Sequence, residues 1–352
     1  MATQAEAAFS SFDALPQQLE RLRDAHGRAI TDLRVSITDR CNYRCVYCRE
    51  GEEDVQFAEL GIDQYLRMIR VFVDLGIEKV RLTGGEPLLR AGLPGMIRAL
   101  SAMRTTFTLE PQPLDIALTT NGHLLAPMAQ DLKDAGLSRI TVSMDAVEPE
   151  SFARITRVPR SYDRVLAGVR AAKSAGLAPV KVNCVLLRGF NDDQIEAFGE
   201  FARREGVILR FIEFMPLEEG RVWSQDVVVR EAEIIERLNR VMPMIELPPN
   251  HLSETARRYG FADGEGEIGI IAPVSRPFCG HCSRVRLTSD GKIRTCLFSQ
   301  SEHDLAGIMA RGGTNDAMAA YISRTIMQKE ARHHIGEPGF EKPSRSMVHI
   351  GG

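Results

Sequence analysis

From about residue 30 to about 245, short apolar runs alternate with amphipathic stretches. The runs Leu33–Thr38, Lys79–Thr83, Leu114–Thr119, Arg139–Asp145, Val180–Leu187 and Ile208–Met215 are rich in Val, Ile and Leu. Several are nearly continuous in apolar residues, as strands buried on both faces of a parallel sheet are. Between them, Ile62–Leu75, Pro94–Met103, Leu124–Asp134, Tyr162–Ser174 and Asp193–Glu205 carry helical spacing. Gly76, Gly136, Gly176 and Gly206 stand where four of these helices should end, a position that favours a left-handed residue. Six repeats of strand then helix imply a parallel α/β sheet. Periodicity alone fits either a barrel or an open sheet. However, Thr38-Asp39-Arg40-Cys41, Gly84-Gly85-Glu86-Pro87, Thr120-Asn121-Gly122 and Ser143-Met144-Asp145 all fall at strand C-terminal ends, which converge on one mouth in a barrel. The reading is an incomplete (β/α)6 TIM-type barrel.

Beyond about residue 245 the alternation stops. Leu247-Pro248-Pro249-Asn250 reads as a linker, Ile268–Ile271 and Val285–Leu287 as strands. Ser289-Asp290-Gly291 reads as a turn, from which Lys292–Leu297 returns as a hairpin. The expected organisation is a flexible leader over 1–30, the barrel over 31–245, a small C-terminal α+β domain over 246–335, and a flexible tail over 336–352 rich in Gly, Pro and Ser.

Composition narrows the class of protein. The 352 residues are 44% hydrophobic and 26% charged, ordinary for a globular chain, with a net charge of −3. Nothing in that total favours nucleic acid or an anionic membrane as a partner. No apolar run approaches the roughly 18 residues that span a bilayer. The first residues contain acids and lack an apolar core, unlike a secretory signal. The expected location is cytoplasmic, where structural disulfides are rare.

Against that background the seven cysteines stand out. Cys184 lies in the apolar run VKVNCVLL and reads as a packed core thiol. The other six form two triplets, Cys41, Cys45, Cys48 and Cys279, Cys282, Cys296. A cubane iron–sulfur cluster usually takes four thiolates, so a triplet leaves one iron open to a small molecule. Two triplets suggest two [4Fe-4S] clusters and two ligands held near one another. Zinc remains an alternative, most plainly at the second triplet, where His281 would make a Cys3His site. Adjacent donors at His281 and Cys282 would strain a tetrahedral ion.

Basic residues add a second signal. Arg34, Arg81 and Lys181 lie on predicted strands, and Arg284 and Arg286 share one face of another. Charges within apolar strands are costly unless paired or aimed at a ligand, and Arg suits bidentate phosphate contacts. Gathered at a barrel mouth, they imply a polyanionic substrate such as a nucleoside triphosphate.

The C-x3-C-x2-C loop, with Tyr47 before its last cysteine, resembles the signature of the radical S-adenosylmethionine (SAM) superfamily, and Gly84-Gly85-Glu86-Pro87 resembles its SAM motif. The whole set, LRVSITDRCNYRCVYC, RLTGGEP, TTNG, VSMDA, VKVN, RFIEFMP and C-x2-C-x13-C enclosing Arg284 and Arg286, resembles one family from about Asp32 to Cys296: the GTP 3′,8-cyclases of molybdenum cofactor biosynthesis. Its Gly351-Gly352 terminus also matches. The resemblance implies that Cys41, Cys45 and Cys48 hold the SAM cluster, and that Tyr47, Gly85, Ser143 and Met215 contact SAM. It implies that Cys279, Cys282 and Cys296 hold a second cluster whose open iron binds guanine. Arg34, Arg81, Thr119, Lys181, Arg284, Val285 and Arg286 would contact GTP, with Arg34, Arg284 and Arg286 catalytic. The implied reaction takes hydrogen from ribose C3′ and joins C3′ to guanine C8. Implied partners are a reducing donor such as flavodoxin or ferredoxin and, as the next enzyme, cyclic pyranopterin monophosphate synthase; a homodimer is left open.

Two other readings compete. One is a radical SAM peptide maturase, although such enzymes tend to carry larger cysteine-rich C-terminal segments. The other is a non-catalytic iron–sulfur sensor or zinc-stabilised module, which leaves GGEP and the basic strands without a purpose.

Overall fold

The apolar runs form the strands of one twisted sheet. The computed structural model describes residues 21–48, 57–218 and 223–351; residues 1–20 of the expected leader, and Gly352, lie outside the described residues, whereas 21–30, expected to be flexible, pack with Leu22 and Ile30 buried and Arg28 donating to the carbonyls of Cys279 and Glu330. The first six strands are β1 (Asp32–Ser36), β2 (Lys79–Thr83), β3 (Asp115–Thr120), β4 (Arg139–Ser143), β5 (Lys181–Leu186) and β6 (Ile208–Glu213), paired in parallel and in sequence order. Helices such as Ile62–Asp74 and Ile195–Glu205 cover them, and their apolar stripes account for much of the core. Gly76, Gly136, Gly176 and Gly206 all take positive φ, as the helix ends require.

The C-terminal segment builds onto both edges of this sheet. After β7 (Met244–Leu247) and β8 (Arg257–Phe261), strand β9 (Glu267–Ile271) pairs in parallel with β6. Strand β10 (Arg284–Leu287) pairs in parallel with β1, followed by the antiparallel β11 (Lys292–Arg294) and β12 (His303–Asp304). The order is β12-β11-β10-β1-β2-β3-β4-β5-β6-β9-β8-β7. The expected partial barrel is therefore present, widened at each edge by a strand from the C-terminal region.

The segment read as a linker begins at the end of β7, which forms a hairpin with β8. β7 is an edge strand with two exposed residues and so lacks a buried strand's apolar run. The tail is a correction. Residues 336–351, expected to be flexible, pack against the protein and end in the helix Met347–Ile350, with Val348, His349 and Ile350 buried. Ile350 joins a small apolar cluster with Leu217, Phe298 and Ile335. Arg345 anchors the segment with a bidentate pair to Asp290, both bonds 2.9 Å, and lies 3.7 Å over the Phe57 ring. Gly, Pro and Ser make up eight of residues 336–352, but a few apolar and charged anchors decide the outcome.

Candidate active site

Strand register explains where the basic residues go. Arg34 on β1 is level with Arg286 on β10 and with Arg81 on β2, which places three arginines in one row across three strands. The intervening Leu33, Val35, Val80, Leu82, Val285 and Leu287 face the opposite side and are fully buried. Like charges side by side on a sheet are destabilising, so the row calls for an anion. Burial, then Arg286, Arg81 and Arg284, push the Arg34 guanidinium well below its ordinary value. Its Nε is sealed from solvent and has no hydrogen-bond partner. Arg81 donates to Thr119 Oγ1 at 3.1 Å and to Thr141 Oγ1 at 3.3 Å.

This row forms the wall of a cavity of about 330 Å3 lined by both cysteine triplets. Because β10 runs parallel to β1, Cys279 and Cys282, which precede β10, sit at the opposite end from Cys41, Cys45 and Cys48, which follow β1. The five residues of β1 span about 16 Å at ~3.3 Å per residue, enough to hold an extended substrate between the two ends. Among its described lining residues, nine Lys and Arg side chains face three carboxylates. Lys79 pairs with Asp32 at 2.8 Å. Lys181 is pushed down to about 8 by burial and then by Arg210 and Arg139, with Glu254 pulling the other way.

The residues at the β1 end fit a three-thiolate cluster with a bound small molecule. All six triplet cysteines are free thiols. Gly84 and Gly85 pack against the first cysteine loop: a Cβ on Gly85 would lie 2.3 Å from the Arg40 carbonyl oxygen, and one on Gly84 2.2 Å from that of Thr38. Only glycine allows that approach. Cys45 is held well above an ordinary thiol by burial, then by Asp145 and the neighbouring cysteines, so becoming a thiolate depends on a bound metal. Tyr47, Gly85, Ser143 and Met215 all line the cavity. Tyr47 donates to Asp145 Oδ2 at 2.5 Å, while the Val185 N–H donates to Asp145 Oδ1 at 2.8 Å, so Asp145 fixes the tyrosine.

At the other end, the short turn Cys279–His281 and the strand pair β10–β11 bring Cys279, Cys282 and Cys296 to the same cavity. Burial raises the Cys282 thiol, but Arg284 and Lys329 outweigh it and bring it down to about 6. Arg284 Nη2 donates to Cys282 Sγ at 3.4 Å. Among the described residues no three Cys, His, Asp or Glu groups converge on one ion; thiolates that each hold a different iron of a cluster have no need to.

Of the residues expected from sequence, Val285 is the exception. Its side chain is buried in the core behind the arginine row, so only its backbone is left to reach a ligand. Cys184 is buried, as expected of a packed core thiol. Asp145, expected at a strand end facing the mouth, lines the cavity, and so do Lys79, Arg139, Arg210, Lys329 and His333, which sequence spacing does not single out as site residues. Lys79 and Arg139 open predicted strands, and register alone reveals that they face inward. Glu86, the acid of the GGEP motif, accepts from the Leu88 N–H at 2.9 Å, and from Thr120 Oγ1 and the Asn121 N–H at 2.7 Å each. It thereby ties the glycine loop to the end of β3.

Comparison with known proteins agrees with this geometry. Residues 35–202 match the radical SAM superfamily and residues 207–335 match the family described as Molybdenum Cofactor Synthesis C. Among solved structures, histidine-tagged anSMEcpe with bound AdoMet superposes at a TM-score of 0.58 with 14% identity, covering 86% of this chain and 79% of that one. Streptococcus suis SuiB bound to S-adenosylmethionine superposes at 0.56 with 12% identity, covering 78% and 63%. These likenesses show the fold. The GTP 3′,8-cyclase of Xanthomonas axonopodis pv. citri is 45% identical over 307 residues, 86% of this chain and 89% of that protein. That of Moorella thermoacetica is 39% identical over 338 residues, 94% of this chain and all of that protein. With relatives this similar over nearly its whole length, the chain belongs to the GTP 3′,8-cyclase family.

Proposed function

We propose that this protein is a radical SAM GTP 3′,8-cyclase acting in molybdenum cofactor biosynthesis, with GTP lying between two [4Fe-4S] clusters. The observation that carries the reading is the single cavity that joins both cysteine triplets across a row of arginines. Cys41, Cys45 and Cys48 would hold one cluster, with SAM against Tyr47, Gly85, Ser143 and Met215; Cys279, Cys282 and Cys296 would hold the second. Held there, the first cluster and SAM would supply a 5′-deoxyadenosyl radical able to take the ribose C3′ hydrogen of GTP; the C3′ carbon would then bond to guanine C8, and one electron and one proton from the reducing system would close the resulting base-centred radical.

The chain's own residues account for the remaining requirements. Arg34, Arg81, Lys181, Arg284 and Arg286 neutralise the triphosphate, and Thr119 steadies Arg81. Both reacting atoms belong to one substrate, so fixing its two ends sets their approach and removes most of the entropic barrier. Arg34, whose Nε has no protein partner, is suited to the charge nearest the reacting ribose. Apolar groups such as Phe278, Leu297 and Phe298 line the base end and exclude water there, so that polar contacts to the base are not screened. A low-potential donor such as flavodoxin or ferredoxin would supply the electrons, and cyclic pyranopterin monophosphate synthase would take the product. Among the described residues, no helix is long and apolar enough to cross a membrane.

The test is anaerobic reconstitution with iron and sulfide, then incubation with SAM, reductant and GTP carrying deuterium at ribose C3′. Deuterium in 5′-deoxyadenosine is the expected result. SAM cleavage without label transfer would move the substrate assignment toward a peptide.

A further inference from the structure

His333 stands out at the base end of the cavity. The ring is 9% exposed, and neither Nδ1 nor Nε2 has a hydrogen-bond partner. It lines the same cavity as Cys279, Cys282 and Cys296. Phe298 packs against it with ring centroids 5.2 Å apart, and Phe340 in turn supports Phe298 at 5.9 Å. The imidazole is thus fixed by packing while both of its polar atoms are left unused. Buried polar atoms are nearly always satisfied, and those left over at a cavity wall mark where a ligand supplies the partner.

We propose that His333 hydrogen-bonds an edge of the guanine base and sets its orientation at the second cluster, an inference that rests on the GTP-cyclase reading above. Burial, and then His334, hold the ring neutral at physiological pH, with Arg332 and Arg284 acting in the same direction and Glu337 against it. A neutral imidazole offers one N–H donor and one lone pair. That pair matches a purine edge, which mixes donors and acceptors. A phosphate, which only accepts, would take the N–H but leave the lone pair unmatched, and the arginine row already serves it. The placement fits as well: His333 shares the cavity's base end with Phe298, Leu297 and the second triplet, while Arg34 and Arg81 lie along the sheet.

The experiment measures equilibrium binding to the reconstituted protein without reductant, using GTP, inosine 5′-triphosphate, 7-deaza-GTP and inorganic tripolyphosphate. The proteins are wild type, His333→Phe, which keeps the packing against Phe298, and His333→Gln, which keeps one donor and one acceptor. His333→Phe should bind GTP about tenfold more weakly, the worth of one ordinary hydrogen bond made to a buried partner. It should bind tripolyphosphate unchanged, and His333→Gln should recover part of the loss. Equal binding of inosine 5′-triphosphate by wild type and His333→Phe would place the contact at the 2-amino group, equal binding of 7-deaza-GTP would place it at N7, and a difference kept for both would place it at O6 or N1. Equal weakening of GTP and tripolyphosphate would overturn the proposal in favour of a general packing role. Unchanged GTP affinity would overturn it, and an altered electron paramagnetic resonance signal of the second cluster in separately reduced, nucleotide-free protein would then point to a cluster contact. Wild-type protein that binds tripolyphosphate as tightly as GTP would instead count against the cyclase reading itself.

Discussion

Arg286 Nη1 donates to the carbonyl oxygen of Ile350 at 3.1 Å and also to that of Gly351. One member of the arginine row is therefore engaged by the chain's own C-terminal backbone. Gly351 has a φ of +65°, and a Cβ there would lie 2.6 Å from both Ser36 Oγ and Thr83 Cγ2, at the ends of β1 and β2. The terminus thus reaches the strand ends from which the first cysteine loop and the glycine loop depart. Deleting Gly351 and Gly352, or replacing Gly351 with Val, should cut cyclisation by at least about tenfold. Because the core is untouched, the melting temperature should move by no more than about 4 °C, roughly what ~1 kcal/mol shifts in a domain of this size. Unchanged turnover of the deletion variant would make the terminus a passive end.

Arg34 has the most exposed energetic position in the row, flanked by two arginines and with Nε unpartnered. Its replacement by Ala should weaken GTP binding by roughly 10- to 100-fold, the worth of about 1.5–3 kcal/mol for hydrogen bonds to a charged group. Arg34→Lys should recover only part of that loss, since an ammonium keeps the charge and loses the planar fork. In the absence of nucleotide, Arg34→Ala should not destabilise the fold, because it relieves crowding with Arg81 and Arg286. Isothermal titration with GTP, paired with thermal unfolding of the free protein, separates the two effects; a large loss of stability would show that the row is a structural feature.

How much of this was visible in the sequence depended on range. β2 was legible residue for residue, because the Val80 and Leu82 alternation, closed by Gly84, carries its own signal. Both cysteine triplets and the positions of Arg34, Arg81 and Lys181 were legible for the same reason: spacing and strand alternation are local. The inward face of Arg139 and Arg210 was not, because it depends on how β4 and β6 register with β5. Glu86 could be seen in its motif, but its bonds to Thr120 and Asn121 join residues 34 and 35 positions apart. The tail reads as flexible because eight of residues 336–352 are Gly, Pro or Ser, while the partners of its anchors Arg345 and Ile350, namely Asp290, Glu302 and Leu217, lie far off in sequence.

Lys181 gives the site a pH dependence with a definite sign. Burial beside Arg210 and Arg139 lowers it to about 8, below the ordinary lysine value near 10.5. Below pH 8 it is charged and attracts phosphate; as pH rises through 8 the free protein loses that charge. Bound triphosphate favours the protonated form, so the complex holds the proton to higher pH than the free protein does. GTP affinity should therefore fall by up to about tenfold per pH unit once pH exceeds 8, one proton being taken up on binding. Lys181→Met should bind more weakly at pH 7 and show a flatter profile between pH 7.5 and 9. Parallel slopes for the two proteins would assign the dependence to another group.

The two triplets lie at opposite ends of β1 and β10, so one should be removable without the other. Cys279→Ala should lower bound iron by about four atoms per chain, the content of one cubane, and leave the first cluster spectroscopically intact. Such a protein still holds Cys41, Cys45, Cys48 and the Gly84-Gly85 cradle, so it should cleave SAM when reduced. It should not cyclise GTP, because the base end is no longer fixed and C8 is not delivered to C3′. Cys45→Ala should do the reverse, retaining GTP affinity within about threefold while losing SAM cleavage. Measuring iron, 5′-deoxyadenosine and cyclised nucleotide on the same samples decides the matter. Loss of all three in Cys279→Ala would mean that the ends are coupled through the arginine row, and that Arg284, which contacts Cys282 and sits on β10 beside Asp32 of β1, is the residue that links them.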